Sequence, residues 1–391
     1  MAAARLARQP ALSVTLVEPS PVFVERIRLH QWMTGGRPPV RPLTDLLARG
    51  VRWVQDRVAA IELGAREVRL AGGEVLAYDQ LVLAVGSRTD RSRVRGAAEH
   101  SLALETGAEL TEFAARARAL ADRGGTLAVV GFGLTGVEAA SELAEVFPRL
   151  RVVLVGRGRL DDAISPWAAS HVRAVMARLG AEIREGAEVA AVHADRLELA
   201  DGSSLACDAC VWAGGFRAPD LAARAGLPVM ADGRVRVDAG LRALGHPEVL
   251  VVGDAAHAAS DGPLQALGRP LPIEAVTGPG LRMACASALP MGAHAADQVI
   301  RAVSGRAPTP ARIGYFGRCV SLGRRDGFVQ RSAPDDSLRP GLVRGRLAAM
   351  IKEMVCRSTV LVLRAEARGV ALYRWPHPQR ALASAPAAVH S

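Results

Sequence analysis

A chain of 391 residues, half of them apolar and 23% charged, with 39 Gly and 23 Pro, is too long for one compact domain and too apolar to be disordered, so two or three domains are expected. The same figures exclude collagen, mucin-like stalks and low-complexity repeats. Charge is unevenly placed: residues 301–391 hold 16 Lys+Arg against 5 Asp+Glu, so the whole net charge of +10 belongs to the last quarter. A basic tail attracts nucleic acid or an anionic membrane, but with one lysine, Lys352, among 48 arginines, an arginine-rich genome accounts for it equally well. No uncharged apolar run reaches the length of a membrane span, the N-terminus has no secretion signal, and five Cys do not make a disulfide scaffold; a soluble, cytoplasmic protein is expected.

In chain order, Met1–Gln9 reads as a helix leading into the strand Ser13–Val17, closed by Glu18. A carboxylate there is where a dinucleotide fold holds an adenosine ribose. The strand and glycine turn that should precede the helix do not occur in the sequence. Either the fold departs from type or Met1 is internal to a longer protein, and the intact remainder of the half-domain favours the second. Val51–Val58, Ala65–Leu70 and Val75–Tyr78 alternate as an antiparallel meander, and Leu81–Gly86 closes the unit. The layout recurs with the strand Thr126–Val130, a glycine turn, the helix Val137–Glu145 and the strand Arg151–Val155. A second meander follows, of Glu182–Glu185, Val189–Ala194 and Arg196–Leu199, and Ala209–Gly214 closes this copy. Val249–Val252 then ends in Gly253-Asp254-Ala255-Ala256. A pseudo-repeat of nucleotide-binding units is the simplest account.

The turn of the second copy is Gly131-x-Gly133-x-x-Gly136. The first glycine permits the tight bend, the second lets backbone approach a pyrophosphate, and the third lets helix pack on strand, with the phosphates at the helix N-terminus. The motif alone is weak; strand before, helix after and a second strand at βαβ spacing make it specific. The end of the following strand selects the nucleotide. It reads Gly156-Arg157-Gly158-Arg159, with no acid until Asp161, which favours NADPH or leaves the two nucleotides undiscriminated; merely solvated arginines are the alternative.

With these residues assembled, the chain resembles the two-dinucleotide flavoproteins: type II NADH dehydrogenases and other FAD-dependent pyridine-nucleotide oxidoreductases. The resemblance rests on Val14–Glu18, Leu81–Ser87, Val129–Glu138, Val211–Gly215 and Leu250–His257, in order over roughly residues 1–305. It implies an α/β fold with two Rossmann-like domains, for FAD and NAD(P)H, with β-meander insertions and a C-terminal α/β segment. The expected boundaries are 1–105 and 235–305 for the two parts of the FAD domain, 106–234 for the NAD(P) domain, and 306–391 for a basic tail. The resemblance implies that Glu18 binds the FAD ribose, that Ala84–Gly86 lie beside its phosphates, and that Asp254, after Gly253, binds its ribityl chain. Gly131, Gly133 and Gly136 would hold NAD(P)H, with Arg157 at the adenosine end, and Glu138 would lie near the nicotinamide. The segment Ala288–Gly292, with Met291, would lead into a helix Ala293–Val303 aimed at the flavin, its dipole favouring negative charge on the reduced ring.

Asp254 also stands on physical grounds, since a carboxylate just past a buried strand can accept a sugar hydroxyl; capping the next helix is the alternative. Cys207-x-x-Cys210 opens a structural strand, so neither a catalytic disulfide nor a zinc site is expected there. Cys285 reads as a lone core thiol, and without two thiol partners sulfide oxidation is a poor fit. Residues 342–366 carry apolar residues near helical spacing among arginines, which suits a peripheral membrane helix or one packed on the body or on a second copy in a homodimer. Few aromatics interleave with those arginines, so nucleic acid is not an expected partner. The leading expectation is hydride transfer from NAD(P)H to FAD and onward to an acceptor, of which a quinone is one candidate, although the glutamine-rich quinone-site helix is missing. No catalytic side chain is assigned, because the first half-reaction is mainly positioning. The alternative is an impaired relative or sensor that binds NAD(P)H without flavin.

Overall fold

The structure is a computed structural model that describes residues 1–105, 107–258 and 280–370. The stretch 259–279 of the expected FAD domain and 371–391 of the tail lie outside the described residues. In chain order, helix α1 (Ala2–Leu6) and strand β1 (Val14–Val17) are followed by β2 (Val51–Val54), a meander β3–β4–β5 (Val58–Glu62, Glu67–Leu70, Val75–Ala77) and β6 (Leu81–Leu83). The second unit runs α2 (Ala108–Asp122), β7 (Thr126–Val130), α3 (Leu134–Val146), β8 (Arg151–Val155), α4 (Pro166–Arg178) and β9 (Glu182–Arg184). A meander β10–β11–β12 (Val189–Val192, Arg196–Leu199, Ser204–Ala206) and β13 (Ala209–Trp212) complete it. The chain then returns to the first unit through β14 (His246–Val251) and α5 (Cys285–Val303). It ends in an antiparallel sheet β15–β16–β17 (Gly317–Ser321, Gly327–Ser332, Leu338–Arg344) and helix α6 (Arg346–Ala367).

The second unit is built on a five-stranded parallel sheet, in the order Leu102–Ala103, β13, β7, β8, β9. Its central strands are nearly continuous apolar runs because both faces are covered. Leu127, Val129, Val152 and Leu154 face the core made with α2, α3 and α4. Ala128, Val130, Val153 and Val155 face the meander side, against Leu197, Leu205 and Trp212. In the first unit, β1 pairs in parallel with β2, and β6 with β14. Helix α1 lies against α5 where Gly292 removes a side chain; a Cβ there would meet Met1 Cβ at 3.4 Å.

Three expectations change. Val51–Val54 and Glu182–Arg184 are not meander strands: each lies parallel beside its unit's own strand, β1 and β8. Apolar alternation has the same period in both settings, and the partner is remote in sequence. Leu342 and Val343 belong to β17, and the amphipathic helix starts only after Gly345, which has φ of +73°. Helix α5 begins at Cys285, eight residues before its expected start, with Pro290 inside it. The alanine-rich run ahead of the proline supports helix, and the ring removes one amide bond near the helix start.

The basic tail also joins the second unit's core. Val320, Leu322 and Phe328 pack with α3 and α4 residues, and Asp326 accepts from Arg178 at 2.7 Å and lies 2.8 Å from His171. The sheet β15–β17 is thereby fixed above α3, and α6 lies across it.

Candidate functional site

The glycine turn has the geometry its motif requires. Gly131 has φ of +120°, and a Cβ on Gly136 would lie 1.9 Å from the Gly131 carbonyl oxygen. Gly133 faces open space and is the N-cap of α3, with no side-chain cap. Helix α3 thus offers uncapped amides beside a bare backbone, an arrangement that fits a pyrophosphate. Arg157 is exposed just beyond β8.

In the first unit, Glu18 closes β1, half-buried, and one of its carboxylate oxygens accepts from the Ser20 amide at 2.9 Å. β6 and β14 run side by side, and the turns at their carboxyl ends are tied together: Ser87 Oγ donates to Asp254 at 2.6 Å, and Arg26 donates to the Ser87 carbonyl at 2.9 Å. Gly86 and Gly253 bend these turns with φ of +67° and +65°, and Ala84, just past β6, is exposed. Asp254 lies in a 3-10 turn followed by the short strand Ala256–His257, so it does not cap a helix. The first turn of α5 lies against the same loop, with Ala288 Cβ 3.4 Å from a Cβ built on Gly253. Met291 is therefore in the second turn of α5 rather than ahead of it, and it is 1% exposed within the apolar core. The amides that lead this helix belong to Cys285, Ala286 and Ser287. The carboxylates of Glu18 and Asp254 fit FAD at its ribose and ribityl positions.

Between the two units lies a buried polar cluster. Glu138, on α3, accepts from Lys352 Nζ of α6 at 2.9 Å and from the amide and hydroxyl of Ser321 of β15 at 3.0 and 3.1 Å. His30, from the short helix Leu29–Trp32, reaches the same hydroxyl at 3.4 Å. Burial pushes the Glu138 carboxyl up, but Lys352, His30 and the Ser321 amide outweigh it and hold the group below the usual carboxylate range. Burial lowers the Lys352 ammonium and Glu138 raises it, leaving it above its ordinary value. Burial brings His30 down to about 4, so it is neutral at pH 7. The cluster is a fixed ion pair with a neutral imidazole beside it.

Cys285 is neither buried in the core nor alone. It is exposed at the first position of α5 and interacts electrostatically with Lys352, Asp254 and Glu138. Cys319 and Cys356 also interact with Lys352, and Lys352 Nζ donates to the Cys319 carbonyl at 3.2 Å. All three thiols are raised: Cys319 and Cys356 chiefly by burial, and Cys285, although its surface is open, chiefly by loss of hydration among the surrounding protein atoms. Cys207 lies just ahead of β13 and Cys210 within it, and both are buried. Sequence reasoning missed His30, Ser321 and the role of Lys352. Of these only Lys352 carried a signal, as the single lysine of an arginine-rich chain.

The pattern of the pyridine nucleotide-disulphide oxidoreductase family matches residues 1–285. The NADH dehydrogenase-like protein Rv1812c of Mycobacterium tuberculosis (strain ATCC 25618 / H37Rv) is 31% identical over 302 residues, covering 72% of this chain and 71% of that protein. The demethylphylloquinone reductase NdbB of Synechocystis sp. is 26% identical over 301 residues, covering 74% and 70%. In fold, the chain matches the sulfide:quinone oxidoreductase of Aquifex aeolicus with a TM-score of 0.77 at 16% identity, covering 100% of this chain and 93% of that one. NDH2 of Plasmodium falciparum in complex with NADH matches with a TM-score of 0.75 at 13% identity, covering 94% and 95%. The two-unit α/β architecture, the glycine turn and the Asp254 loop agree with these findings: the chain belongs to the pyridine nucleotide-disulphide oxidoreductase family, whose cofactors are FAD and NAD(P)H.

Proposed function

We propose that this protein is a flavin-dependent NAD(P)H dehydrogenase that delivers electrons to a quinone-type acceptor. The observation that carries the reading is the buried Glu138–Lys352 pair, which ties α3 to α6 and interacts electrostatically with Cys285 at the first position of α5. FAD, when bound, accepts the nicotinamide hydride and passes two electrons on. The chain's residues supply position and charge. The turn Gly131–Gly136 seats the pyrophosphate, Glu18 and Asp254 take sugar hydroxyls, and the cluster at Lys352 excludes water from the junction of the two units. The Lys352 ammonium, kept charged by Glu138, favours the negative charge that develops on a quinone oxygen during reduction. The name of the Synechocystis relative supports a quinone as the acceptor class.

The test is the visible spectrum of the purified chain, followed by NADH and NADPH titration under argon. A stoichiometric flavin band that bleaches on titration, and returns on addition of a soluble quinone, is the expected result. Nucleotide binding to a colourless protein would instead favour a sensor without flavin.

Helix α6 supports a peripheral contact with the cytoplasmic face of a membrane. Leu347, Met350, Met354 and Leu361 are exposed along it. Arg41, Arg324, Arg325, Arg346, Arg357 and Arg364 line the groove beside them. An apolar stripe flanked by arginines suits an anionic lipid surface. No helix among the described residues is long and apolar enough to cross a membrane.

A further inference from the structure

The pyridine nucleotide can be specified more closely at the end of β8, given the reading of the β7–α3 turn as its binding site. In dinucleotide folds a carboxylate at the end of the second strand accepts the ribose hydroxyls of NADH, whereas a cation there takes the 2′-phosphate of NADPH. Here the strand ends at Val155 and the next residue is Gly156. A Cβ on Gly156 would lie 2.6–2.8 Å from carbons of the Phe132 ring. Phe132 is the second residue of the glycine turn and is itself 9% exposed. Its ring fills the space an acidic side chain would need, so the selecting carboxylate of an NADH site has no room.

The nearby acids are all engaged elsewhere. Asp161 pairs with Arg173 at 2.6 Å and with Arg159 at 3.6 Å. Asp162 accepts from the Arg159 amide at 2.7 Å. Glu185 accepts from the Leu160 amide at 2.8 Å and from Arg173 at 2.5 Å. Those bonds fix the loop, and they leave Arg157 exposed with no hydrogen bond or ion pair among the described residues. We propose that the second unit selects NADPH over NADH, with the Arg157 guanidinium receiving the 2′-phosphate and the Phe132–Gly156 contact excluding the acid that would favour NADH. A planar, permanently charged guanidinium is suited to phosphate, and a charge-assisted contact of this kind is strong enough to decide between two otherwise identical nucleotides.

Calorimetric titration of the purified protein with 2′,5′-ADP and with 5′-AMP reads this step apart from turnover, and kcat/KM for NADPH and NADH reads it in catalysis. The expected result is tighter binding of 2′,5′-ADP, a higher kcat/KM for NADPH, and a fall of that preference by roughly 10- to 100-fold in Arg157→Gln. Arg157→Lys should recover part of it, because a point charge remains. Equal or better use of NADH, or an Arg157→Gln variant with an unchanged preference, overturns the inference alone. Failure of both nucleotides and both fragments to bind overturns the reading of the glycine turn and the inference with it.

Discussion

Lys352 and Glu138 are bound so closely that neither can be changed without leaving the other's charge buried without its counter-ion. Replacing Lys352 by Met leaves Glu138 buried and uncompensated, which typically costs about 3–5 kcal/mol. The expected outcome is a large fall in the denaturation midpoint for Lys352→Met, with most of it recovered in the double variant Lys352→Met/Glu138→Gln. A double variant no more stable than the single one would mean that the pair is not the source of the loss. The pH dependence has a definite sign. Since the Glu138 pKa is depressed below 4.5 in the fold, its contribution is complete above that value and is lost as the pH falls through the folded pKa. At this scale the sequence was legible where a backbone conformation demanded a residue type, as at Gly131 and Gly136. It was not legible for His30 and Ser321, whose meeting with Glu138 depends on elements far apart in the chain.

Among the elements, the β7–α3 turn separates the two tasks that a glycine can have. Gly136 is needed for packing: a Cβ would lie 1.9 Å from a backbone oxygen, so Gly136→Ala must push α3 off its strand. Gly133 has φ of −61° and open space around it, so Gly133→Ala should fold with a melting temperature close to the parent. It should nonetheless lose NAD(P)H affinity, because the added methyl group stands where the pyrophosphate approaches. Thermal melts alongside nucleotide titrations check both, and a Gly133→Ala protein that binds normally would move the nucleotide away from this turn. The strand–turn–helix order was legible because each piece is local and strongly patterned. The placement of β2 and β9 was not, since an edge strand of a parallel sheet and the first strand of a meander show the same alternation. The early start of α5 was hidden by Pro290, which reads as a helix boundary until tertiary packing overrides it.

For the whole molecule, the tail completes the second unit as well as carrying the charge. β15 supplies Ser321, α6 supplies Lys352, and the outer side of α6 carries the apolar stripe and its arginines. The inner and outer faces of one helix therefore couple the buried ion pair to the surface proposed for a membrane. The expected outcome of co-sedimentation with liposomes is binding that requires anionic phospholipid and weakens with salt. Replacing Leu347, Met350, Met354 and Leu361 by Ser should abolish binding without lowering the melting temperature, since all four are exposed. Binding to purely zwitterionic vesicles as strong as to anionic ones would remove the arginines from the account. Basic charge and amphipathic spacing made this helix visible in the sequence; that its other side closes over Glu138 was not, because one lysine among many arginines does not disclose what it faces.

The solitary lysine has a further consequence. Every other basic side chain on the molecule except histidine is a guanidinium, which holds its proton across the whole accessible pH range. Lys352 is thus the chain's one side-chain primary amine, and it is enclosed. Protein grown with isotopically labelled lysine would carry a single side-chain nitrogen reporter, placed where the two units and the tail converge, with no surface amines to obscure it.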